Sequence, residues 1–492
     1  MNIKNIKKHG HTIAMGSMCV LTVIQLYSAS PVQAAAPDTT VPIGIQYMDS
    51  RYVHSLNWEP AVKTGINNFL DMYGNRSPSY NPHAHPYAVF DFDNTTSIMD
   101  VEEQCMIWQL NHLAFAITPD NITTVLQTGI PADKLAMTYG ADDGNGRPVR
   151  ISDAIADASA AYGILCKKGL VSVRGHELSA DTKNSAEFKE FTAKMRWLYD
   201  AIGETMDASV SYPWVTYWFT GMTPAQVYQL AYDCDSYYGD PFKGQTWSKG
   251  TYQSPASADN LAGTVRVSYK LGITVTPEIR ELYGTFQRNG IDSWICSASP
   301  VDVVRAAVDY FKVPGVKGIV AMTNKTANGV YINAYNYDYH AQTQGPGKSQ
   351  AISKVIVPQY NGNGPSFCAM DSQGDFNFCT EFKNTKEVLV LNRQRKDDAA
   401  LCAAIAIWQQ QNHTDLAKAN GTGNTLFLLQ GRNENKGTLW SDNQTLLLGK
   451  TEKVFLSEKA KKALDQLQQG QSIKKVLQTN TKLKNYDGYK TK

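Results

Sequence analysis

Several polar side chains of this sequence have the types and the spacing that phosphoryl transfer requires. Asp91 and Asp93 directly follow the apolar residues 87–90, which predict a short buried strand. Side chains two positions apart in an extended segment share a face, so both carboxylates can point into one site. The other candidate groups end later predicted strands or begin a predicted helix: Ser297, Lys348, Asp371 and Asp375.

These groups match the parts of a phosphoryl-transfer site, which needs a nucleophile, a proton donor for the leaving group, a cation and donors to the phosphoryl oxygens. A carboxylate can be the nucleophile, and it then carries the phosphoryl group as an aspartyl-phosphate. Two carboxylates held close together need positive charge beside them. Lys348 and a Mg²⁺ ion with oxygen ligands would supply that charge, and without it repulsion raises the pKa of one of the acids.

The elements that must position these groups alternate between strand and helix. After the first strand, further strands are predicted at 291–296, 317–322, 329–334, 366–370 and 388–391. Helices are predicted between them at 277–289, 301–310 and 345–355. This pattern predicts an α/β protein with a Rossmann-like, doubly wound parallel sheet, in which ligands bind at the carboxyl ends of the strands.

Residues 100–272 interrupt this alternation with a mainly helical, aromatic-rich segment, which we interpret as a cap inserted over the site. Helices are predicted at 154–163 and 185–202, and another begins at Pro224. The densest aromatic cluster of the chain covers residues 212–219. Most of its rings are expected to form the core of the cap.

The remaining boundaries place the first core strand in an N-terminal segment, 35–99, and the rest of the core at 273–395. A C-terminal extension follows at 396–492. It is predicted to contain a helix at 399–411, a hairpin at 426–440 and a lysine-rich amphipathic helix that begins near Ser457. We expect the lysines to form a solvated face and the extension to pack against the core.

The first 34 residues predict a cleaved export signal. Lys4, Lys7 and Lys8 form a basic region. Residues 12–27 are mostly apolar, and small residues precede Ala35. No later segment has the ~20 apolar residues that span a membrane, and a net charge of +2 gives no reason to expect a nucleic-acid partner. We therefore expect a bacterial protein of the periplasm or the exterior.

Seven of the eight cysteines lie beyond the export signal, and an odd number cannot all pair within one monomer. Their spacing is irregular and contains no Cys-x-x-Cys pair, so no zinc site is expected. Most are predicted to be buried free thiols, and one or two disulfides remain open for an exported protein.

The order of the candidate groups resembles the haloacid dehalogenase superfamily, in its phosphoserine-phosphatase-like branch. DFDNT at 91–95 matches the first motif of that family, WICS at 294–297 the second and GKSQAI at 347–352 the third. The acidic part of the fourth motif is matched by DSQGD at 371–375, with Met370 where the family carries a glycine.

The resemblance implies roles for the two acids of the first motif. Asp91 would be the nucleophile and a Mg²⁺ ligand. Asp93 would be the general acid–base, and its main-chain carbonyl would also bind the metal. Dehalogenase members of the superfamily lack the second acid, so Asp93 favours a phosphatase.

The same resemblance implies roles for the later groups. Ser297 would hydrogen-bond the phosphoryl group, and Lys348 would hold the nucleophile and neutralise charge. Asp371 would complete the metal site, with Asp375 beside it as a supporting acid.

Over nearly the whole mature length the chain is similar to exported bacterial phosphorylcholine phosphatases. Shared features are the acids Asp100, Glu102 and Glu103, GMT at 221–223 and QGRNEN at 430–435. A quaternary ammonium group is recognised by aromatic faces together with a carboxylate. The predicted ammonium box consists of one acid and three rings: Glu103, Trp214, Tyr217 and Trp218. The alternatives are a surface position for the acid and core positions for the rings.

Three functions therefore remain open. The first is a Mg²⁺-dependent phosphomonoesterase that acts on phosphorylcholine or a similar small phosphate. The second is the same chemistry on another substrate, such as phosphoserine or phosphoethanolamine. The third is a catalytically idle protein that binds choline-like ligands on its aromatic cap.

Overall fold

The computed structural model describes residues 50–140, 147–239, 247–256, 259–480 and 485–492. The export signal predicted at 1–34 lies outside the described residues.

The helices of the described residues are, in chain order, α1 (Pro60–Tyr73), α2 (Val101–His112), α3 (Ile122–Gln127), α4 (Ile151–Lys167), α5 (Ala180–Asn184), α6 (Ala186–Thr205), α7 (Ala208–Thr216), α8 (Pro224–Tyr238), α9 (Pro277–Arg288), α10 (Val301–Tyr310), α11 (Pro346–Val355), α12 (Phe376–Glu381), α13 (Ala399–Gln411), α14 (Leu416–Gly421), α15 (Glu458–Gln468) and α16 (Ile473–Leu477).

The strands are β1 (Tyr87–Phe90), β2 (Ser248–Gln253), β3 (Arg266–Leu271), β4 (Asp292–Pro300), β5 (Val316–Met322), β6 (Asn324–Ala327), β7 (Val330–Tyr335), β8 (Phe367–Met370), β9 (Glu387–Leu391), β10 (Leu426–Gln430), β11 (Arg432–Asn433) and β12 (Thr438–Leu439).

Six strands form one parallel sheet in the order β10-β9-β8-β1-β4-β5. Strands β1, β8, β9 and β10 are buried along their whole length, as expected for a parallel sheet with both faces covered. In β1, Ala88 and Phe90 belong to one hydrophobic core, and Tyr87 and Val89 belong to a second core on the other face. The predicted α/β fold with a doubly wound sheet is confirmed.

Strand β1 lies between β8 and β4, near the middle of the sheet. Because all three strands run in the same direction, their carboxyl ends meet at one edge. This edge is where parallel α/β sheets bind their ligands. It brings together Asp91 after β1, Asp371 after β8 and the last residues of β4.

The described residues between β1 and α9 form helices α2–α8 and one antiparallel pair of strands, β2 with β3. An antiparallel bridge between Ile98 and Thr274 joins the two ends of this insertion at its base. The helical cap predicted for residues 100–272 therefore also contains a hairpin. The sequence of β2, SKGTYQ, did not predict a strand, because most of its side chains are exposed and show no apolar alternation.

The C-terminal extension differs from the prediction in one respect. Helix α13 has the predicted bounds, but the predicted hairpin at 426–440 is wrong as a single unit. Leu426–Gln430 is the sixth strand of the main sheet, parallel to β9, and only β11 and β12 form a hairpin. An unbroken apolar run such as LFLLQ suits a strand buried on both faces, so the sheet continues beyond residue 395.

Among the described residues, no helix combines the length and the apolar character needed to cross a membrane. The seven cysteines in these residues are free thiols, and all except Cys166 are buried.

Candidate active site

Asp91 is the first residue after β1 and is buried at the carboxyl edge of the sheet. Its Oδ1 accepts a hydrogen bond from Lys348 Nζ at 2.5 Å, and its Oδ2 accepts one from Thr95 Oγ1 at 3.0 Å. Burial, followed by the charge of Asp375, raises the pKa of Asp91 well above its ordinary value, and Lys348 opposes this shift. The ammonium group of Lys348 therefore offsets part of the effect of burial on this carboxyl group.

Asp93 points to the other side of the same loop, towards the end of β4. Its Oδ2 accepts hydrogen bonds from Ser299 Oγ at 2.6 Å and from Ser297 Oγ at 3.3 Å. Its Oδ1 accepts one from the main-chain N–H of Val101 at 2.8 Å. Burial and then the charge of Asp91 raise the pKa of Asp93 to about 7. A carboxyl group with this pKa can both donate and accept a proton near neutral pH.

Sequence reasoning identified Ser297 but missed Ser299. The two residues are two positions apart in β4, so their side chains share a face of the strand. The same spacing rule that paired Asp91 with Asp93 could have identified Ser299.

Lys348 lies in the first turn of α11, behind a tight turn at Gly345 with φ +50°. Its side chain is almost fully buried, and its Nζ donates to Asp375 Oδ1 at 2.6 Å as well as to Asp91. Burial disfavours its charge, but Asp375 and Asp91 outweigh burial and raise the pKa of Lys348 well above its ordinary value. Neighbouring Gly347 is required by space, because a Cβ there would lie 1.9 Å from the main-chain oxygen of Gln342.

Asp371 and Asp375 follow β8. Asp375 Oδ2 accepts hydrogen bonds from the main-chain N–H groups of Asp371 and Ser372, at 3.3 and 3.2 Å. Asp371 Oδ2 accepts one from Arg393 Nη1 at 2.7 Å. Met370, which stands where a glycine was expected, packs its side chain into the hydrophobic core, so Asp371 still reaches the site.

Three carboxyl groups are arranged as a cation site. Asp91, Asp371 and Asp375 are all buried, and each offers an oxygen that lies within 4.8 Å of the others. With Asp93 the cluster has four carboxyl groups, and Lys348 and Arg393 contact it as cations. When all are ionised, two negative charges remain uncompensated. An all-oxygen donor set with this charge fits a hard divalent cation such as Mg²⁺.

A cavity of about 390 Å³ opens from this cluster towards the cap. Besides the residues of the cluster, it is lined by the acids Asp100, Glu102, Glu103, Asp200 and Glu204, the rings of Tyr139, Tyr199 and Tyr212, and Arg395. Glu103 accepts a hydrogen bond from Arg196 Nη2 at 3.0 Å. No described residue donates a hydrogen bond to Glu102 Oε1, which is buried.

The structure does not bring the predicted ammonium box together. Glu103 lines the cavity, but Trp214, Tyr217 and Trp218 are buried in the core of the cap and do not line it. The Trp214 ring packs against Trp218, and its Nε1 donates to the main-chain oxygen of Leu126 at 2.8 Å. The expectation that these three rings meet a ligand is therefore corrected, because they fill the cap interior.

Tyr212 is the member of the aromatic segment that faces the cavity. Tyr212 and Val215, three residues apart on α7, both line the cavity. Trp214 lies on the other side of the helix, in the core of the cap. Side chains three and four positions apart share a face of a helix. Helical spacing would have separated Tyr212 from Trp214, but the sequence does not say which of the two faces meets the ligand.

No family model matches this chain, and no curated protein sequence matches it. Among solved structures, it is similar to a conserved functionally unknown protein from Anaerococcus prevotii DSM 20548, with 25% identity and a TM-score of 0.68 over 82% of this chain and 100% of that one.

Two further structures are similar only at a low level. A HAD family hydrolase from Salmonella enterica serovar Typhi matches at 8% identity over 62% of each chain, with a TM-score of 0.29. A probable phosphoserine phosphatase from Vibrio cholerae matches at 11% identity over 40% of this chain and 49% of that one, with a TM-score of 0.26. These scores are too low to support an argument about fold or function. The chain shares its fold with the Anaerococcus protein.

Proposed function

We propose that this protein is a phosphomonoesterase that uses Asp91 as its nucleophile. The observation that carries the proposal is the pair of contacts at one loop: Lys348 holds Asp91, and two serines hold Asp93 on the opposite side. The four motifs that resemble the haloacid dehalogenase superfamily support the same chemistry.

In the first half-reaction, an oxygen of Asp91 attacks the phosphorus atom while the bond from phosphorus to the leaving alkoxide breaks. Asp93 gives its proton to the oxygen of the leaving alkoxide, so the product leaves as an alcohol. Lys348 stays beside the reacting oxygens and offsets the negative charge of the phosphoryl group.

In the second half-reaction, a water molecule attacks the phosphorus atom of the aspartyl-phosphate. Asp93, now ionised, takes a proton from the water, and the bond between phosphorus and Asp91 breaks. Inorganic phosphate leaves, and both carboxyl groups return to their initial states. Asp93 therefore serves as the acid in the first step and as the base in the second, and Ser297 and Ser299 hold its carboxyl group in the same position for both.

Asp91, Asp371 and the main-chain carbonyl of Asp93 would hold Mg²⁺, with Asp375 beside them. The ion, when bound, would supply the positive charge that the cluster lacks and would polarise the phosphoryl oxygens. Lys348 and Arg393 already contact three of the four acids, so the chain provides part of this charge by itself.

The cavity favours a substrate whose alcohol part carries a positive charge. Besides the cluster, five acids and three tyrosine rings line it, and aromatic faces next to carboxylates are suited to ammonium groups. Glu102 is one of these acids, and its buried Oε1 has no hydrogen-bond donor among the described residues. Burial, followed by the charges of Asp100 and Asp93, raises the pKa of Glu102 well above its ordinary value, and a bound ammonium group would favour its ionised form. We therefore infer phosphorylcholine or phosphoethanolamine as substrates. Phosphoserine is the alternative, and its own carboxylate would be repelled by these acids.

The export pattern of the first 34 residues supports action in the periplasm or outside the cell. Fractionation of cells that produce the full-length chain tests this location. Recovery of an unprocessed chain in the cytoplasm would contradict it.

The activity is tested by phosphate release from phosphorylcholine, phosphoethanolamine, phosphoserine and p-nitrophenyl phosphate. Wild type is compared with Asp91→Asn, each with Mg²⁺ and with EDTA. We expect metal-dependent release that the substitution abolishes, with the two amine substrates preferred over phosphoserine. Absence of turnover on all four compounds, together with choline binding that Asp91→Asn leaves intact, would support the idle binding protein instead.

A further inference from the structure

Arg432 reaches from the hairpin of β11 and β12 into the loop between Asp91 and α2. Its side chain is only 1% exposed. Its Nη1 donates to the main-chain oxygen of Asn94 at 2.8 Å, and its Nη2 donates to Asn94 Oδ1 at 2.9 Å. One guanidinium group therefore holds both oxygens of the residue that separates Asp93 from Thr95.

Asn94 is the point at which this loop reverses direction. Its φ of +63° lies in the left-handed region, which non-glycine residues adopt only where their surroundings hold them. The reversal sends Thr95 back to Asp91, where its Oγ1 donates to the carboxylate, and leaves Asp93 facing Ser299. A contact that fixes Asn94 thus acts on the candidate nucleophile and the candidate proton donor together.

The same hairpin also reaches the opposite side of the cluster through Glu434. This fully buried acid accepts hydrogen bonds from Arg432 Nη2 at 2.6 Å and from the main-chain N–H of Leu448 at 3.0 Å. Arg393 Nε lies 4.0 Å from the same carboxylate, and Arg393 Nη1 donates to Asp371 at 2.7 Å. A series of polar contacts therefore runs from Asn94 through Arg432, Glu434 and Arg393 to Asp371.

Stability alone does not account for these charges. Each ion of a buried pair loses its hydration, and well-packed apolar residues of similar volume are often as stabilising. What an arginine provides, and an apolar residue does not, is direction: charge-assisted hydrogen bonds fix the positions of the acceptor oxygens. Here those acceptors belong to the two loops that carry the candidate metal ligands.

We infer that Arg432 and Glu434 are positioning residues, which hold the loop of Asp91 and Asp93 and the side chain of Asp371 in one arrangement. The inference rests on the proposed function for its purpose, but the contacts can be tested without turnover. The inference gives a role to the C-terminal extension: its hairpin of β11 and β12 would hold the loops of the active site in place.

The direct test is amide hydrogen exchange on the metal-free protein. We expect Arg432→Met to speed exchange of residues 92–97 about tenfold or more, because the loop loses both contacts to Asn94, and Arg432→Lys to have a smaller effect. The matched control is Lys194→Met. Lys194 is equally buried and pairs with Asp157 and Glu190 in the cap, away from the cluster. Unchanged exchange at 92–97 in folded Arg432→Met would overturn the inference.

Mn²⁺ affinity, measured by calorimetry, separates positioning from general stability. Loss of residues that orient metal ligands typically weakens metal binding ~10–100-fold. We expect Arg432→Met and Glu434→Gln to fall in this range and Lys194→Met to stay within about twofold of wild type. In kinetics, kcat should fall in Arg432→Met with KM nearly unchanged. Equal losses of Mn²⁺ affinity in the control and in Arg432→Met would reduce Arg432 to a structural role.

If Arg432→Met does not fold, Asn94→Gly tests the same contact from the other end. Glycine keeps the left-handed backbone but removes Oδ1. We expect the losses of Mn²⁺ affinity in Asn94→Gly and Arg432→Lys not to add in the double variant, because both act on one contact. Fully additive losses would count against a positioning contact between Arg432 and Asn94. A wild type that binds no Mn²⁺ contradicts the metal part of the proposed function, and the exchange experiment then decides the inference alone.

Discussion

Ser299 Oγ lies 2.6 Å from Asp93 Oδ2, closer than the 3.3 Å between Ser297 Oγ and the same oxygen. The serine that the motif did not include therefore makes the shorter hydrogen bond to the proposed proton donor. Ser297 has a second contact, because its Oγ accepts the main-chain N–H of Ser299 at 3.1 Å. The two serines hold Asp93 between β4 and the start of α2.

Ser299→Ala should shift the pH dependence of kcat/KM to higher pH. The hydrogen bond from Ser299 lowers the pKa of Asp93 and so opposes the effect of burial. Without this hydrogen bond, the pKa of Asp93 should be higher. Asp93 must be protonated to serve the leaving group, so activity declines as pH rises through its pKa. We expect the declining limb to move up by roughly half to one pH unit, since a hydrogen bond to a charged group contributes about 1.5–3 kcal/mol, of which part is retained through Ser297. A limb that stays in place would show that Ser299 does not act on Asp93.

Lys348→Met should destabilise the metal-free protein strongly, because Asp91 and Asp375 lose the cation that they share. Leaving a buried charge unpaired costs about 3–5 kcal/mol. The loss of stability is measured as the free energy of unfolding in urea of wild type, Lys348→Met and Lys354→Met. Lys354 lies on the same helix but on its exposed side, so its substitution should change the free energy of unfolding by less than about 0.5 kcal/mol.

The instability of Lys348→Met should depend on pH. Burial raises the pKa of Asp91 and of Asp375, so the folded state binds more protons than the unfolded state as pH falls. Stability linked to such groups is present at low pH and is lost as pH rises through the folded pKa. Lys348→Met should therefore regain stability relative to wild type between pH 8 and pH 5. A constant difference across that range would contradict the shared-cation role.

Substitution of Tyr212 and of Trp214 should change different properties of the protein, although the two residues are only two positions apart. Tyr212→Leu removes a ring that lines the cavity, so KM for phosphorylcholine should rise about threefold to thirtyfold, as expected for one cation–π contact. Trp214→Leu removes a ring from the cap core and should instead lower the free energy of unfolding by about 2–4 kcal/mol. Steady-state kinetics with urea unfolding of both variants separates the two effects, and a larger change of KM in Trp214→Leu would restore the original ammonium box.

The contribution of Lys490 to the free energy of unfolding should increase from neutral to alkaline pH. Its Nζ donates to the main-chain oxygen of Thr385 at 2.5 Å and to Thr425 Oγ1 at 3.1 Å. Burial, and then the charge of Lys386, lower its pKa from 10.5 to about 8. Between these two values the unfolded state binds more protons than the folded state, so stability rises with pH. The free energy of unfolding of wild type, relative to Lys490→Met, should increase by about 1–2 kcal/mol from pH 7 to pH 10. A difference that falls over this range would contradict the effect of partial burial on the pKa of the lysine.

The sheet was predictable from local patterns because its strands are short apolar runs that end in polar turns. YAVF before Asp91 and FCAM before Asp371 are examples, and both are fully buried strands. Strand β10 was harder to assign. LFLLQ has the same pattern, but the turn sequence GRNEN at 431–435 after it indicated a hairpin over 426–440, and only its pairing with β9 shows that it is the edge strand of the main sheet.

The fold class and the four acids of the cluster were predictable from local patterns, because short apolar runs that end in polar turns indicate the strands, and a spacing of two places side chains on one face of a strand. The sequence could not decide which rings face the cavity, since Tyr212 and Trp214 differ only in which side of α7 the cap packs against. Nor could it reveal that Arg432 reaches Asn94, 338 residues earlier in the chain. Contacts of this kind arise when segments that are distant in sequence pack together, and local patterns carry no information on which hairpin will meet the loop of the proposed nucleophile.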